Sequence, residues 1–354
     1  MLTFTGHLHF RQRIVLATLT RTHIRISEIR PAGLQVGLRD FEASFLRLIE
    51  KIVDGSEIFV NETGMAMQYR PGLIIGGRNV MHDCGCVRGL GYFIEPLLAI
   101  ALFAKSDLTV TLRGLTNVGS DIGVDILRSV TMPLFKKFGL EDGMRLQIVR
   151  RGAPPTGRGE VILNIPTVRS LRTVHLTDPG RVKRVRGVAY GTKVSSQIVN
   201  RLVDAARMVL SHYIPDVWIY TDVSFEKDGP AGYALSLVAE TTNACFLSAE
   251  AVASSDSTAE SVGIAAASQL LEEIFQGGVI DSAHQPLALM LMTFGPQDVS
   301  RLRIGAPSGP AIWFLRNVGT FLGVHCQILP DSSDNSTIIA CRGVGFSNSG
   351  KRSI

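Results

Sequence analysis

Strand-like and helix-like hydrophobic patterns alternate along almost the whole chain, which limits the folds open to it. Period-two alternation marks Ile24–Ile29, Glu57–Asn61, Leu108–Arg113, Arg145–Arg151, Glu160–Ile165, Val324–Leu329 and Thr337–Arg342. Between these strands, Phe41, Phe45, Leu48, Ile49, Ile52 and Val53 fall on one helical stripe, with Gly55 as a stop. Cys86–Phe103, Asp121–Phe138, Gln285–Phe294 and Pro310–Leu322 read as further helices. Strands and helices that alternate in this way pack as layers, so the expected class is α/β (α+β). A β–α–β–α–β–β rhythm recurs with weak internal similarity, which predicts three repeated β/α units in one large domain.

One segment breaks the rhythm. From about Val185 the chain shows a strand, GVAYGTKV, and then a helix with Ile198, Leu202, Val203, Val209 and Leu210 on one face. Strands Val217–Thr221, Tyr233–Thr241 and Ala244–Ala251 follow, then a polar loop and a helix over Ile264–Phe275. Strands of the first kind resume afterwards. The expected organisation is a large domain from 1–184 and 280–354, with a small α/β domain inserted at 185–279. The Phe225–Gly232 stretch within it has turn chemistry.

A length of 354 residues fits two domains, and 45% apolar against 19% charged residues excludes a mainly disordered chain. The longest apolar runs, Leu97–Ala104 and Leu287–Phe294, are too short for a bilayer span, so no membrane association is expected. The first residues lack an apolar signal core, and five cysteines are an odd number on a long chain. Both point to a cytosolic or nuclear protein with reduced thiols.

The net charge of +5 conceals an asymmetry. Arg145–Arg186 holds ten Lys/Arg and two acids, a net +8, which leaves −3 for the rest. Arginines number 28 against 8 lysines. The guanidinium fork grips phosphate oxygens through two parallel bonds, so such a stripe fits a polyanion, above all a nucleic acid. A solvated basic face, or arginines paired with distant carboxylates, would give the same pattern.

Few local motifs carry chemistry. Gly345–Lys351 (GFSNSGK) approaches a phosphate loop, but Arg352 stands where Mg²⁺ needs a hydroxyl and no helix follows before Ile354. His82, Cys84 and Cys86 lack a second ligand pair at zinc spacing and read as a helix N-terminal turn with buried thiols. His7 and His9 would share a strand face. Between Arg150 and Glu160, arginines flank a Pro-then-Gly turn where the Gly157 and Gly159 amides could meet an anion; a tight hairpin with solvated arginines is the alternative. The acids are scattered, and Glu141-Asp142 and Glu272-Glu273 read as solvated surface.

At these residues the sequence resembles the RNA 3′-terminal phosphate cyclase family, and within it the cyclase-like branch of eukaryotic nucleoli. The resemblance spans the chain. It rests on GLRDFEASF (Gly37–Phe45), RGLTN (Arg113–Asn117) with Asp125 downstream, Arg151–Glu160, TDPGRVKRVRG (Thr177–Gly187), VAETTNACFLSAE (Val238–Glu250) and GVGFSN (Gly343–Asn348). It implies three repeated β/α units with a small inserted domain.

The chain departs from the active cyclase pattern at four places. His7–Arg13 replaces a Gly-Gly-Gly-Gln-x-x-Arg stretch and keeps only Arg13. Asp40-Phe41-Glu42 replaces Pro-Gln-His, and Pro286-Leu287-Ala288 replaces Asp-Gln-Leu. The family's histidine near the C-terminus falls in Gly305–Ile312, and no histidine lies between His284 and His325. The family reaction passes AMP through an imidazole nitrogen, a task neither Pro307 nor Ser308 can perform. Cyclase activity is therefore expected to be absent, with no catalytic residue, metal or cofactor assigned.

The resemblance implies a noncatalytic factor for early pre-rRNA processing in small-subunit (18S rRNA) maturation. It would act in the nucleolus, in the small-subunit processome, with a large nucleolar GTPase, a small nucleolar ribonucleoprotein and pre-rRNA as partners. Candidate anion or RNA contacts are Arg13, Arg39, Arg151, Arg158, Lys183, Arg184 and Arg186. With Arg181, the last three also suit a nuclear-import signal, although a strand or loop at the domain junction is the more ordinary reading. A pre-rRNA endonuclease and a pure protein-binding adaptor are the two alternatives.

Overall fold

The structure is a computed structural model that describes residues 1–32, 35–140, 142–224, 230–331 and 336–348. Glu141 and parts of the Phe225–Gly232 turn and the Gly345–Lys351 run lie outside the described residues.

The first unit runs β1 (Leu2–Thr5), α1 (Phe10–Thr20), β2 (Ile24–Ser27), α2 (Asp40–Ile52), β3 (Val53–Asp54), β4 (Glu57–Val60), β5 (Met67–Arg70) and β6 (Leu73–Ile74). The second runs β7 (Gly77–Asp83), α3 (Leu90–Ala101) and β8 (Leu108–Gly114). A continuous helix follows, made of α4 (Val124–Ile126), a π-helical turn (Leu127–Thr131) and α5 (Met132–Lys137). Strands β9 (Arg145–Arg150) and β10 (Gly159–Ile165) close the unit.

The third unit opens with β11 (His175–Leu176) and is at once interrupted by β12 (Val182–Thr192), α6 (Ser196–Leu210), β13 (Val217–Ser224), β14 (Gly232–Thr241), β15 (Phe246–Val252) and α7 (Ala259–Phe275). It resumes with α8 (Gln285–Thr293), β16 (Val299–Ile304), α9 (Gly309–Leu322), β17 (Gln327–Pro330) and β18 (Thr337–Arg342).

Three sheets repeat one design: β1-β2-β5-β4, β7-β8-β10-β9 and β11-β16-β18-β17. In each, the first two strands are parallel and the remaining pairs antiparallel. The mixed α/β class is therefore observed, and so is the β–α–β–α–β–β unit. Alternate residues of all three sheets enter one core, among them Ile24 and Ile26, Val110 and Leu112, Leu302 and Ile304. Helices α1, α3, α8 and α9 pack on one another at its centre. Eleven of the twelve residues of α3 are buried, so it is apolar on every side.

The interrupting stretch has its own core. Val185, Ala189, Leu202, Ala206, Leu237, Leu247 and Leu270 cluster between the β13-β12-β14-β15 sheet and helices α6 and α7. Its first strand begins at Val182 and its last helix ends at Phe275. Against the sheet's other face lie Ile126 and Val130 of the π-containing helix, in contact with Val238.

Two local expectations are corrected. His7 and His9 lie in the turn that enters α1, where His9 adopts φ 58 and stacks on Trp313, so they share no strand. His82 lies within β7, which ends at Asp83, and helix α3 begins only at Leu90. Its ring bonds Ser44 Oγ through Nε2, Cys84 is buried, and exposed Cys86 donates its thiol hydrogen to the Thr156 carbonyl. Among the described residues, no three His, Cys, Asp or Glu side chains converge to hold a metal, and no helix is long and apolar enough to cross a membrane.

Candidate functional site

Three of the four segments at which the chain departs from the cyclase pattern meet in one cleft, and Asp40-Phe41-Glu42 lies outside its lining. Arg11, Gln12 and Val15 of α1 face Glu95 and Pro96 of α3, Pro286, Leu287 and Met290 of α8, and Pro310 and Phe314 of α9. The space between them is about 330 Å³. Its polar groups are bound to one another. Arg11 donates to Glu95 at 2.6 Å and to the Tyr92 carbonyl at 2.8 Å. Arg88 pairs with Asp121 through two bonds and lies over the Tyr92 ring. Gln12 donates to the Pro310 carbonyl at 3.1 Å.

Ser308 is committed to the backbone. Its Oγ accepts the Ala311 N–H and caps α9, while its own N–H donates to Gln285 Oε1 at 2.7 Å. This satisfies a helix-end donor that would otherwise be orphaned. Among the described residues, no histidine lines the cleft. His284, the nearest in sequence to α8, is fully buried and turned into a different network.

A second cleft, about 820 Å³, opens beside β1 and is lined by Thr5, Gly6, His7, Glu28, Arg30, Gln35 and Arg39 among others. Arg39 sits just before α2 and donates its backbone N–H to Glu42 Oε2. Arg30 holds both Glu42 oxygens at 2.7 and 2.8 Å and also donates to the Gly37 carbonyl. Glu28 and Arg30 take left-handed backbone angles, φ 55 and 44, which cost energy for non-glycine residues. The Arg30–Glu42 fork, reaching twelve residues along the chain, holds that bend in place. Burial and the nearby Arg30 guanidinium hold the His7 imidazole below its usual range.

Arg13 lies just beneath this cleft. It is 7% exposed, stacks over Phe4 at 4.6 Å, and donates to the Thr5 and Gly6 carbonyls. Its Nε is buried without a partner. Arg13 therefore props the cleft wall and lends positive potential from below, and Arg39 reaches the opening itself.

The structure does not bring Arg151 to these two. Its side chain is 6% exposed and bonds both Asp125 oxygens, bonds Asp222, and stacks on Tyr190 at 4.8 Å. Each of its three nitrogens bonds a carboxylate and the side chain is buried, so Arg151 joins the two cores and does not face either cleft. The anion nest expected at Gly157 and Gly159 is corrected too. The Gly157 N–H donates to the Ala153 carbonyl, and Gly159 enters the β8–β10 ladder opposite Gly114. A Cβ at Gly152 would stand 2.3 Å from the Gly159 nitrogen and 2.4 Å from the Gly157 oxygen. These glycines let main chain pack on main chain.

Arg158 and Arg150 line a third opening, about 680 Å³, with Asp83, Arg113 and Glu160, and Arg150 donates to the Arg158 carbonyl. On β12, Arg184 pairs with Glu240 at 2.5 Å and Arg186 holds Asp216 with two bonds. Lys183 is exposed at the bulge between Val182 and Arg184. The import run is thus strand from Lys183 onward, with Arg181 just before β12. Sequence reading missed Arg30 and the Arg11–Glu95 and Arg88–Asp121 pairs; the proximity of Arg30 to the GLRDFE motif was the one signal available.

Comparison with known proteins agrees with this architecture. The family model for RNA 3′-terminal phosphate cyclase matches residues 2–328. A probable RNA 3′-terminal phosphate cyclase-like protein of Dictyostelium discoideum is 44% identical, over 98% of each chain. The RNA 3′-terminal phosphate cyclase-like protein of Homo sapiens is 44% identical over 99% of this chain and 97% of its own. The rRNA processing protein rcl1 of Schizosaccharomyces pombe is 41% identical, with the same coverage. The chain belongs to the RNA 3′-terminal phosphate cyclase family, on the side of its cyclase-like and rRNA-processing members.

Proposed function

We propose that this protein is a noncatalytic rRNA-processing factor that grips RNA phosphate without transferring a nucleotide. The observation that carries the reading is the cleft among α1, α3, α8 and α9. The segment that would need an imidazole holds Pro307 and the helix cap Ser308, and the charges in the cleft are closed into the Arg11–Glu95 and Arg88–Asp121 pairs. A hydroxyl spent as a helix cap does not form the N–P bond of an adenylated intermediate. The names of the fungal relatives support a role in rRNA processing. On this reading the protein works in the nucleolus on the small-subunit precursor, in company with a nucleolar GTPase.

The Arg30–Arg39 cleft is the phosphate grip we favour, because Arg39 stands at its mouth with no carboxylate on its side chain among the described contacts. Such contacts position RNA and make binding salt-dependent without reading sequence. Two measurements test the proposal. Purified protein incubated with labelled ATP is expected to carry no covalent nucleotide; an acid-labile labelled band would overturn the noncatalytic reading. Binding of labelled RNA, followed by anisotropy, should weaken in Arg39→Ala with a salt slope shallower by about one. An unchanged slope would remove the cleft from the proposal.

A further inference from the structure

The sheet β13-β12-β14-β15 is covered unevenly. Helices α6 and α7 cover one face, and the π-containing helix covers only the β14–β15 side of the other. On the uncovered side, β13 presents Trp218 and Tyr220, two residues apart and on the same face. They are 54% and 59% exposed, while Ile219 between them is buried in the core. Their ring centroids lie 6.1 Å apart, with planes at 67°. Opposite them on β12 are Arg186, in register with Trp218, and Val188, in register with Tyr220. A cavity of about 280 Å³ opens beside Tyr220, walled by Arg128, Ser129, Arg186, Ser236 and Glu240.

We infer that this half-open face is a platform for single-stranded RNA, with unpaired bases stacking on Trp218 and Tyr220. This rests on the reading that the protein contacts RNA and adds a surface separate from the Arg39 cleft. Exposed aromatic rings on a sheet accept any base, since every base has a π face. The surroundings favour a nucleic acid over an apolar peptide. The cavity beside the rings sets Arg128, Arg186, Ser129 and Ser236 among the apolar Val188, Val238 and Phe246, and its acids Glu240 and Asp125 are each paired with an arginine. Asp216 and Glu240 fix Arg186 and Arg184 on the sheet surface, and Lys183 and Arg181 stand exposed at the start of the same strand. That row lies at the end of the segment that carries ten of the chain's cations against two acids.

The chain has two tryptophans, Trp218 and Trp313, so the Trp313→Phe protein reports on Trp218 alone. The probe is a 12-nucleotide single-stranded RNA of mixed adenine and uridine with a terminal dye. Trp218 emission should be quenched over the same concentrations at which the dye's anisotropy rises. In the otherwise native chain, Trp218→Ala or Tyr220→Ala should weaken the anisotropy-derived affinity roughly tenfold, as expected for losing one stack. Binding with no Trp218 quenching and an unchanged affinity in Trp218→Ala would overturn the platform and leave the Arg39 cleft standing. Equal quenching by a duplex of the same length, or quenching only by an aromatic peptide, would also overturn it. Failure of the RNA to bind at all would remove both readings.

Discussion

The Arg151 guanidinium donates to both oxygens of Asp125, at 2.7 and 3.0 Å, with the two side chains 6% and 2% exposed. Asp125 belongs to the helix of the second unit, and the third bond from Arg151 goes to Asp222 of β13. One buried cation thus ties the second core to the large one. Removing one partner leaves the other buried without its two-bond partner, with only Asp222 beside Arg151 or Arg128 beside Asp125, so Asp125→Ala or Arg151→Ala is expected to destabilise the protein by about 3 kcal/mol. The double variant should cost less than the sum of the singles, because neither charge is then left alone. Denaturant unfolding checks both. Arg201→Ala, whose pair with Glu260 is exposed, should leave the midpoint unchanged.

Glu250 makes the same joint sensitive to pH. It is partly buried at the joint, and the loss of water pushes its carboxyl up to about 7 despite hydrogen bonds from Asn117, the Gly123 N–H at 2.8 Å and Ser236 at 3.2 Å. A Cβ at Gly123 would strike the carboxylate at 2.2 Å, so the approach requires glycine. The folded state therefore holds a proton that an unfolded glutamate gives up near its ordinary value of 4.5. The stability this group contributes is complete below that value and lost as pH rises through about 7. Glu250→Gln should flatten the fall of melting temperature between about pH 5 and 8. Its amide can bond the buried Asn117 Oδ1, which has no partner in the present arrangement, once the Asn117 amide turns over. An equally steep fall in the variant would assign the pH dependence to other groups.

The arginines show why part of the site was hidden from sequence. Arg151, Arg184 and Arg186 look like phosphate grips in a segment of net +8, yet their partners Asp125, Glu240 and Asp216 lie 26, 56 and 30 residues away. Charge patterning along a chain cannot see across strands. The repeat was legible because α2 and the alternating strands each have one wet face. Helix α1 was not, since Phe10, Ile14, Val15, Leu16, Ala17 and Leu19 are buried around its whole circumference and leave no periodic signal. Strand β11 is two residues long, too short for any pattern. The missing imidazole was legible, because an absent residue type needs no fold to be noticed; that Ser308 spends its hydroxyl on a helix cap was not.

The five free cysteines should separate by access. Cys86 is exposed in the connection between β7 and α3, Cys326 is half-buried, and Cys84, Cys245 and Cys341 are buried. Burial also pushes the Cys84 thiol up, away from its reactive thiolate form. Brief alkylation of the native protein at pH 8, followed by peptide mass spectrometry, is expected to label Cys86 first and Cys326 more slowly. The three buried thiols should react only in denaturant. Early labelling of Cys84 would mean that the β7–α3 connection opens readily in solution.

His284 carries the last prediction. Its Nδ1 lies 2.6 Å from Asp281 Oδ1 and its Nε2 lies 2.8 Å from Thr131 Oγ1, while Asp281 also accepts from the Ser248 N–H and hydroxyl. The chain of bonds runs from the π-helical turn, through the start of α8, to β15. Every member is buried, so this Thr–His–Asp order holds structure together and does not face a substrate. Burial works against the imidazolium, but the Asp281 carboxylate outweighs it and keeps His284 above its usual 6.5. Stability from the histidine is then complete below that ordinary value and lost as pH rises through the raised one. His284→Ala leaves the Asp281 carboxylate buried without its cation, at an expected cost of about 3–5 kcal/mol at neutral pH. Replacing Asp281 as well, in His284→Ala/Asp281→Ala, should recover part of that loss. If the single and double variants unfold at the same denaturant concentration, the pair is not charged in the folded protein.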